Sequence, residues 1–225
     1  MVSANRTKMH KRIEFKQNQT LLFIGDSITD CGRRELPYAP LGFGYVHFAA
    51  NFLLAQQPHL NLNIQNRGIG GDSTRNLKSR WKTDCIDLKP DIVSIMIGIN
   101  DLWRKYAETP ESQQRYVAPD EYEANLRHLL TELQDTCGSQ LILMEPFMFC
   151  DDAGNPMLAD LPAYIDIVHQ TASELGALLI PLHTNYTNLK DKRPADQWAD
   201  DTVHPAPWAH AWIAKQWLHE VVGSD

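Results

Sequence analysis

Short, almost wholly apolar runs alternate along this chain with longer stretches in which apolar residues return every three or four positions. The runs are Leu21–Ile24, Leu62–Ile64, Ile92–Ile97, Leu141–Met144 and Leu178–Pro181. Strands covered on both faces read this way. Between them, Tyr122, Leu126, Leu129, Leu130 and Leu133 share one helical face. So do Leu161, Tyr164, Ile165, Val168, Ala172 and Leu175, where Gly176 supplies the stop. Phe48, Phe52 and Leu53 predict a helix after Gly44. Ile213, Trp217 and Val221 mark a last helix that begins near Pro207, since proline suits the first turn. The alternation predicts an α/β domain of parallel strands joined by crossover helices. Phe147–Pro156 and Leu189–Pro207 are rich in Asp, Asn and Pro and read as connections.

Composition narrows this picture mainly by exclusion. With 225 residues, 43% hydrophobic and 22% charged, the chain is ordinary globular material for one domain over 1–225, with residues 1–19 as an N-terminal extension. A net charge of −7 argues against a general nucleic-acid binder. No run approaches the roughly 20 apolar residues of a membrane span, and no apolar stretch follows the basic N-terminus as a secretory signal requires. A cytoplasmic protein is expected. Cys31, Cys85, Cys137 and Cys150 form no CxxC pair, so reduced, mostly buried thiols are expected. His169, His183 and His210 lack ligand spacing, so neither metal nor cofactor is expected. Oligomeric state is not derivable, although a homo-oligomer is compatible.

An open parallel sheet binds ligands at the carboxyl ends of its strands. The first three predicted strands end in Gly25-Asp26-Ser27, in Asn66 through Asp72 with Gly68, Gly70 and Gly71, and in Gly98-Ile99-Asn100-Asp101. Ser27 follows its strand directly, with Gly25 beside it for a tight turn. A serine hydroxyl needs a base. Asp201 stands three residues before His204, a spacing at which one turn brings a carboxylate to Nδ1 and leaves Nε2 for the serine proton. Asp200 is a competing acid at a less suitable offset. A backbone N–H of the Gly70-Gly71-Asp72 turn, the Ser27 N–H and the Asn100 amide could serve a developing oxyanion. Singly, each group has a plainer reading: a helix-capping serine, a solvated Asp–His pair, turn glycines, a loop-bonding asparagine. The G-x-S-x-G elbow is absent.

Gly25-Asp26-Ser27-Ile28, Gly71-Asp72, Gly98-Ile99-Asn100-Asp101 and Asp201-Thr202-Val203-His204, in that order, resemble the four signature blocks of the SGNH, or GDSL-type, hydrolases. The resemblance implies a three-layer α/β/α fold with a central, about five-stranded parallel sheet of the flavodoxin-like kind. It implies Ser27 as nucleophile, His204 and Asp201 as the rest of a triad, and Ser27, Gly71 and Asn100 as oxyanion donors. The stretches 21–33, Leu77–Trp81, Ser94–Asp101 and Glu121–Ala124 are further similar to cytoplasmic bacterial acetylxylan esterases of this group. That implies deacetylation of a small acetylated sugar, through an acetyl-enzyme. A lysophospholipase or thioesterase with the same triad is the first rival, and a catalytically silent carbohydrate-binding member of the fold is the second.

Asp26, Asp72 and Asp101 adjoin the candidate groups, either as a second acid or base or as loop-shaping acceptors. Asp26, Trp103, Tyr106, Glu145 and Trp208 are the candidate substrate contacts. Trp103 can equally be packing and Glu145 a loop salt bridge. Asp30, Arg33, Arg34, Asp72, Arg75 and Arg104 make the loops polar, which disfavours a long acyl groove.

Overall fold

The computed structural model describes residues 12–189 and 192–223. Five strands, β1 (Thr20–Gly25), β2 (Asn63–Asn66), β3 (Ile92–Met96), β4 (Gln140–Met144) and β5 (Leu178–Ile180), form one parallel sheet in the order β2-β1-β3-β4-β5. The principal helices are α1 (Ser27–Asp30), α2 (Tyr45–Gln56), α3 (Thr74–Asp84), α4 (Ile99–Trp103), α5 (Pro110–Gln113), α6 (Pro119–Cys137), α7 (Pro156–Leu175), α8 (Leu182–Thr187) and α9 (Pro207–Val221). α2 packs on α9 on one side, while α3, α6 and α7 pack in series on the other. The sheet is therefore the middle of three layers.

β1, β3 and β4 are covered on both faces, and their residues are almost all buried. Trp217 of α9 is fully buried against Phe23, with ring centroids 5.2 Å apart, and its Nε1–H donates to Ser94 Oγ (3.0 Å). α6 and α7 end at Gly138 and Gly176, both left-handed, as the periodicity predicts for Gly176.

Three expectations need correction. β2 is not the apolar run Leu62–Ile64 but Asn63–Asn66, a polar strand at the sheet edge, where only one neighbour has to be matched. Phe52 points outward; the buried face of α2 is Tyr45, Val46, Ala49, Ala50 and Leu53. The N-terminal extension lies outside the described residues for 1–11. Residues 12–19 are not an extension, because Ile13 and Phe15 pack on the core and the Asn18 N–H donates to the Leu60 carbonyl (2.8 Å).

The chain leaves β1 for β2 on one side and returns across it to β3 on the other, so the connections after β1 and β3 diverge and leave a crevice at their carboxyl ends. Gly25 closes the base of this crevice. Its φ is not positive, so it is needed for approach and not for turning: a Cβ there would lie 2.1 Å from the Met96 carbonyl oxygen.

Candidate active site

β1 runs directly into α1. Asp26 caps that helix, its Oδ1 accepting from the Ile28 N–H (3.0 Å), which leaves Ser27 at the first helical position. A backbone N–H there has no acceptor within the helix. The Ser27 hydroxyl meets His204 Nε2 at 2.9 Å. On the far side of the ring, His204 Nδ1 lies 2.5 Å from Asp201 Oδ2, while Asp201 Oδ1 accepts from the N–H groups of Val203 (3.0 Å) and His204 (2.7 Å). One carboxylate oxygen thus holds the loop and the other holds the ring. Partial burial pushes the Asp201 pKa up, but the bonds from the His204 ring and the two amides outweigh it and hold the carboxyl below its usual range. An ionised Asp201 fixes the proton on Nδ1, so Nε2 accepts from Ser27 Oγ–H.

The loop that carries Asp201 and His204 is clamped at both ends. The Phe149 N–H donates to the Thr202 carbonyl (2.8 Å), and the Ala206 N–H donates to the Trp198 carbonyl (2.7 Å). The Trp198 ring stacks on Phe149 at 5.1 Å and meets Trp212 at 5.1 Å and Tyr186 at 5.4 Å.

The glycine turn after β2 is welded to α1. Asp30 Oδ2 accepts from the Gly70 N–H (3.1 Å), and Arg33 Nε donates to the Gly68 carbonyl (2.6 Å). Asn66 accepts from the Gly68 N–H (2.9 Å) and donates to the carbonyls of Thr29 (2.6 Å) and Leu41 (2.9 Å). Gly68 passes so close that a Cβ would stand 2.2 Å from the Asp30 nitrogen, and a Cβ on Gly70 would stand 3.9 Å from Ser27 Cβ. Gly71 then turns at φ +80°, and its N–H meets no acceptor among the described residues. Asn100, in α4 at the end of β3, is buried, and its Nδ2 likewise has no acceptor among the described residues. Buried donors are nearly always paired. Trp81 Nε1, Thr171 Oγ1, Tyr186 Oη and Trp198 Nε1 are likewise without a partner among the described residues, but Asn100 differs from them in standing at the carboxyl end of β3, the edge at which Ser27 and the Gly71 turn follow β1 and β2, where a free amide suits a negative charge that exists only during a reaction.

Arg80 of α3 supports this floor, and reading the sequence did not single it out. It donates to Asp72 (2.7 Å), Asp84 (3.0 Å) and the carbonyls of Arg67 (2.8 Å) and Gly25 (3.0 Å). The signal was available: Arg80 falls three residues after buried Leu77 and next to buried Trp81, a phase in which a charged residue needs a reason. Asp30 was noticed only as a polar loop residue.

The flanking aspartates shape loops. Asp101 accepts from Thr74 N–H (3.0 Å) and Oγ1–H (2.5 Å), tying α4 to the start of α3. Desolvation raises the pKa of Asp101 to about 6 and of Asp26 to about 7, the latter helped by the charges of Asp101 and Asp72.

Of the candidate substrate contacts, Trp103 lies with its ring centroid 5.9 Å from that of His204. Trp208 is partly exposed, 4.4 Å from Trp198 and beneath the Arg193 guanidinium. The other three are engaged elsewhere. Asp26 faces inward as a cap. Tyr106 Oη donates to Asp160 Oδ2 (2.5 Å), holding the chain after α4 to α7. Glu145 is fully buried and accepts from Thr184 N–H and Oγ1–H (2.9 Å each) beside His169 Nε2 (2.5 Å), because β4 ends against α8 and not in the crevice.

The model of the GDSL-like lipase/acylhydrolase family matches residues 23–212. The chain belongs to that family. Family and geometry together make it a carboxylic ester hydrolase. It is 41% identical over 208 residues to an acetylxylan esterase of Geobacillus stearothermophilus, covering 90% of this chain and 94% of that one. A crystal structure of that esterase superposes with a TM-score of 0.87 at 38% identity, covering 95% and 98% of the two chains. An alpha/beta hydrolase enzyme from the metagenome of Lake Arreo, Spain, gives a TM-score of 0.86 at 32% identity, covering 94% and 98%.

The buried cap residue of this GDSL-family site makes a testable demand. Asp26 retains its proton in the folded state at pH values where the unfolded chain has released it. Its contribution to stability therefore falls as pH rises from about 4 to about 7, and the penalty is complete above that. Asp26→Asn keeps the acceptor for Ile28 and removes the titration. Its melting temperature is expected to exceed that of the parent by more at pH 8 than at pH 5. Parallel melting curves for the two proteins across that range would contradict the assignment.

Proposed function

We propose that this enzyme removes O-acetyl groups from xylo-oligosaccharides through an acetyl-serine intermediate, acting on a small soluble ester with no nucleic acid, membrane or metal partner, in the cytoplasm. Ser27 Oγ attacks the acetyl carbonyl while His204 Nε2 takes its proton. The oxyanion gathers the Ser27 and Gly71 N–H groups and the Asn100 amide. Collapse expels the sugar oxygen, which His204 protonates. Water repeats the sequence in reverse roles and returns acetate. Asp201 holds the ring and stabilises the imidazolium at both stages.

The observation that carries the reading is the hydrogen-bonded chain Ser27–His204–Asp201, with a buried, unpartnered Asn100 donor at the end of β3, in a chain alike over nearly its whole length to an acetylxylan esterase. The silent-binder rival has no use for an orphaned buried amide. No helix among the described residues is long and apolar enough to cross a membrane, and the crevice rim carries Arg104 against Gly71 instead of an apolar wall, which favours a short acyl group.

Two outcomes are expected. Acetate is released from acetylated xylo-oligosaccharides, and kcat/KM for nitrophenyl esters is highest at two carbons and falls steeply by six; a maximum at six or eight carbons would transfer the protein to the lipid or thioester reading. Asn100→Ala lowers kcat by about 10²–10³ with KM little changed; a raised KM at constant kcat would make Asn100 a ground-state contact instead.

A further inference from the structure

At the glycine turn a cavity of about 350 Å³ opens between Gly70, Gly71, Ser73, Asn76, Gln114 and Arg115; Asp72 also lines it, with its carboxylate already paired to Arg80 (2.7 Å). That volume is within the usual size range of small-molecule sites. Arg104 approaches one of the lining residues, with Nη2 3.5 Å from where a Gly71 Cβ would lie. It also follows Asn100 by four residues, one helical turn further along the segment that presents the oxyanion amide.

The charges here are unbalanced in an informative way. Most other arginines are engaged: Arg80 with Asp72 and Asp84, Arg34 with Asp30, Arg127 with Glu123, Arg75 at this same cavity with Glu121, Arg67 with the Gln65 amide oxygen and Arg193 over the Trp208 ring. Among the described residues, the side chains of Arg104 and Arg115 make no hydrogen bond, ion pair or ring contact. Burial, and after it the charge of Arg115, pushes the Arg104 pKa down. Two guanidinium groups without a carboxylate partner thus stand near the Gly71 turn, Arg115 in the cavity wall and Arg104 against Gly71, in a chain whose net charge is −7. A general cationic surface does not account for them. Guanidinium forks are matched to carboxylates, and an anionic polymer approaching an acidic protein requires a local cationic point to overcome the repulsion.

We infer that the cavity between Gly71 and Arg115 is a carboxylate subsite, which receives a uronic acid unit carried by the oligosaccharide next to the acetylated residue. Arg104 and Arg115 would grip the carboxylate, and Asn76 and Gln114 offer amides to sugar hydroxyls. This rests on the deacetylation of sugars proposed above and makes it more specific: the preferred substrate is an acidic, branched acetylated fragment and not a neutral one. Because the carboxylate takes part in no bond that forms or breaks, it contributes alike to ground and transition states and is read in KM.

The test compares two acetylated xylo-oligosaccharides that differ only in a glucuronic acid branch. At about 0.01 M salt, where charges act over roughly 30 Å, the acidic substrate is expected to show about tenfold higher kcat/KM, through KM. At about 1 M salt, with screening within roughly 3 Å, the ratio should fall to within about twofold. Arg115→Gln, on an exposed side chain, should lose most of the low-salt preference. The acidic-to-neutral ratio is compared within each protein, so any loss of overall rate does not enter. Equal handling of the two substrates by the parent at low salt, or an unchanged ratio in Arg115→Gln, overturns the subsite. Should neither substrate release acetate, the proposed reaction fails instead. Calorimetric titration with the deacetylated acidic and neutral oligosaccharides then decides the subsite alone: tighter binding of the acidic one, lost in Arg115→Gln, supports it, and equal binding overturns it.

Discussion

The hydrogen bond from Ser27 Oγ to His204 Nε2 joins groups 177 residues apart in the chain, and most of the architecture around it serves to hold them at 2.9 Å. Ser27 is fixed by its position at the start of α1, where β1 can continue only in one direction. His204 has no regular element to fix it. Its loop is held by the Phe149–Thr202 and Ala206–Trp198 backbone bonds and by aromatic rings around Trp198. Close-packed aromatic interiors tolerate little displacement, so a loop with no secondary structure gains the definition of a core. Asp201 completes the constraint locally, since one carboxylate restrains both the backbone and the ring of His204.

The glycine turn is positioned by a second device, based on charge. Arg80 donates its guanidinium to Asp72, Asp84 and two carbonyls, while Asp30 holds the Gly70 N–H and the next N–H, at Gly71, has no acceptor among the described residues. Three carboxyl groups at this edge of the sheet sit in two contrasting environments. Asp26 and Asp101 are buried and pushed toward neutrality, and they cap and tie helices. Asp201 is half-exposed, multiply hydrogen-bonded and held ionised beside an imidazole. Similar residue types thereby take different work from their surroundings.

Much of this was legible in the residue pattern. β1, β3, β4 and β5 are apolar because both their faces are covered, and the Gly-rich endings of β1, β2 and β3 lie around the crevice as expected. β2 was displaced because an edge strand has no need of an apolar run. The D-x-x-H spacing revealed Asp201 because both oxygens act within four residues. Glu145 and Tyr106 misled because position after a strand or helix says nothing about which layer a side chain enters. Phe147–Cys150 read as a plain connection, although its side chains are buried and carry the histidine loop. Asp30, Arg33 and Asp72 read as rim polarity, yet their charges are consumed within the floor. Such roles depend on contacts between segments distant in sequence, which no local spacing encodes.

The account depends on Ser27 and His204 acting as one unit, and kcat for acetyl-ester hydrolysis by Ser27→Ala, His204→Ala and the double variant tests this most directly. Circular dichroism should show the parental fold in all three. Each single substitution is expected to lower kcat by about 10⁴-fold or more, and the double variant should lie within about threefold of either single, because removing one member already disables the pair. A folded Ser27→Ala protein that retains substantial turnover, or single effects that multiply in the double variant, would contradict it.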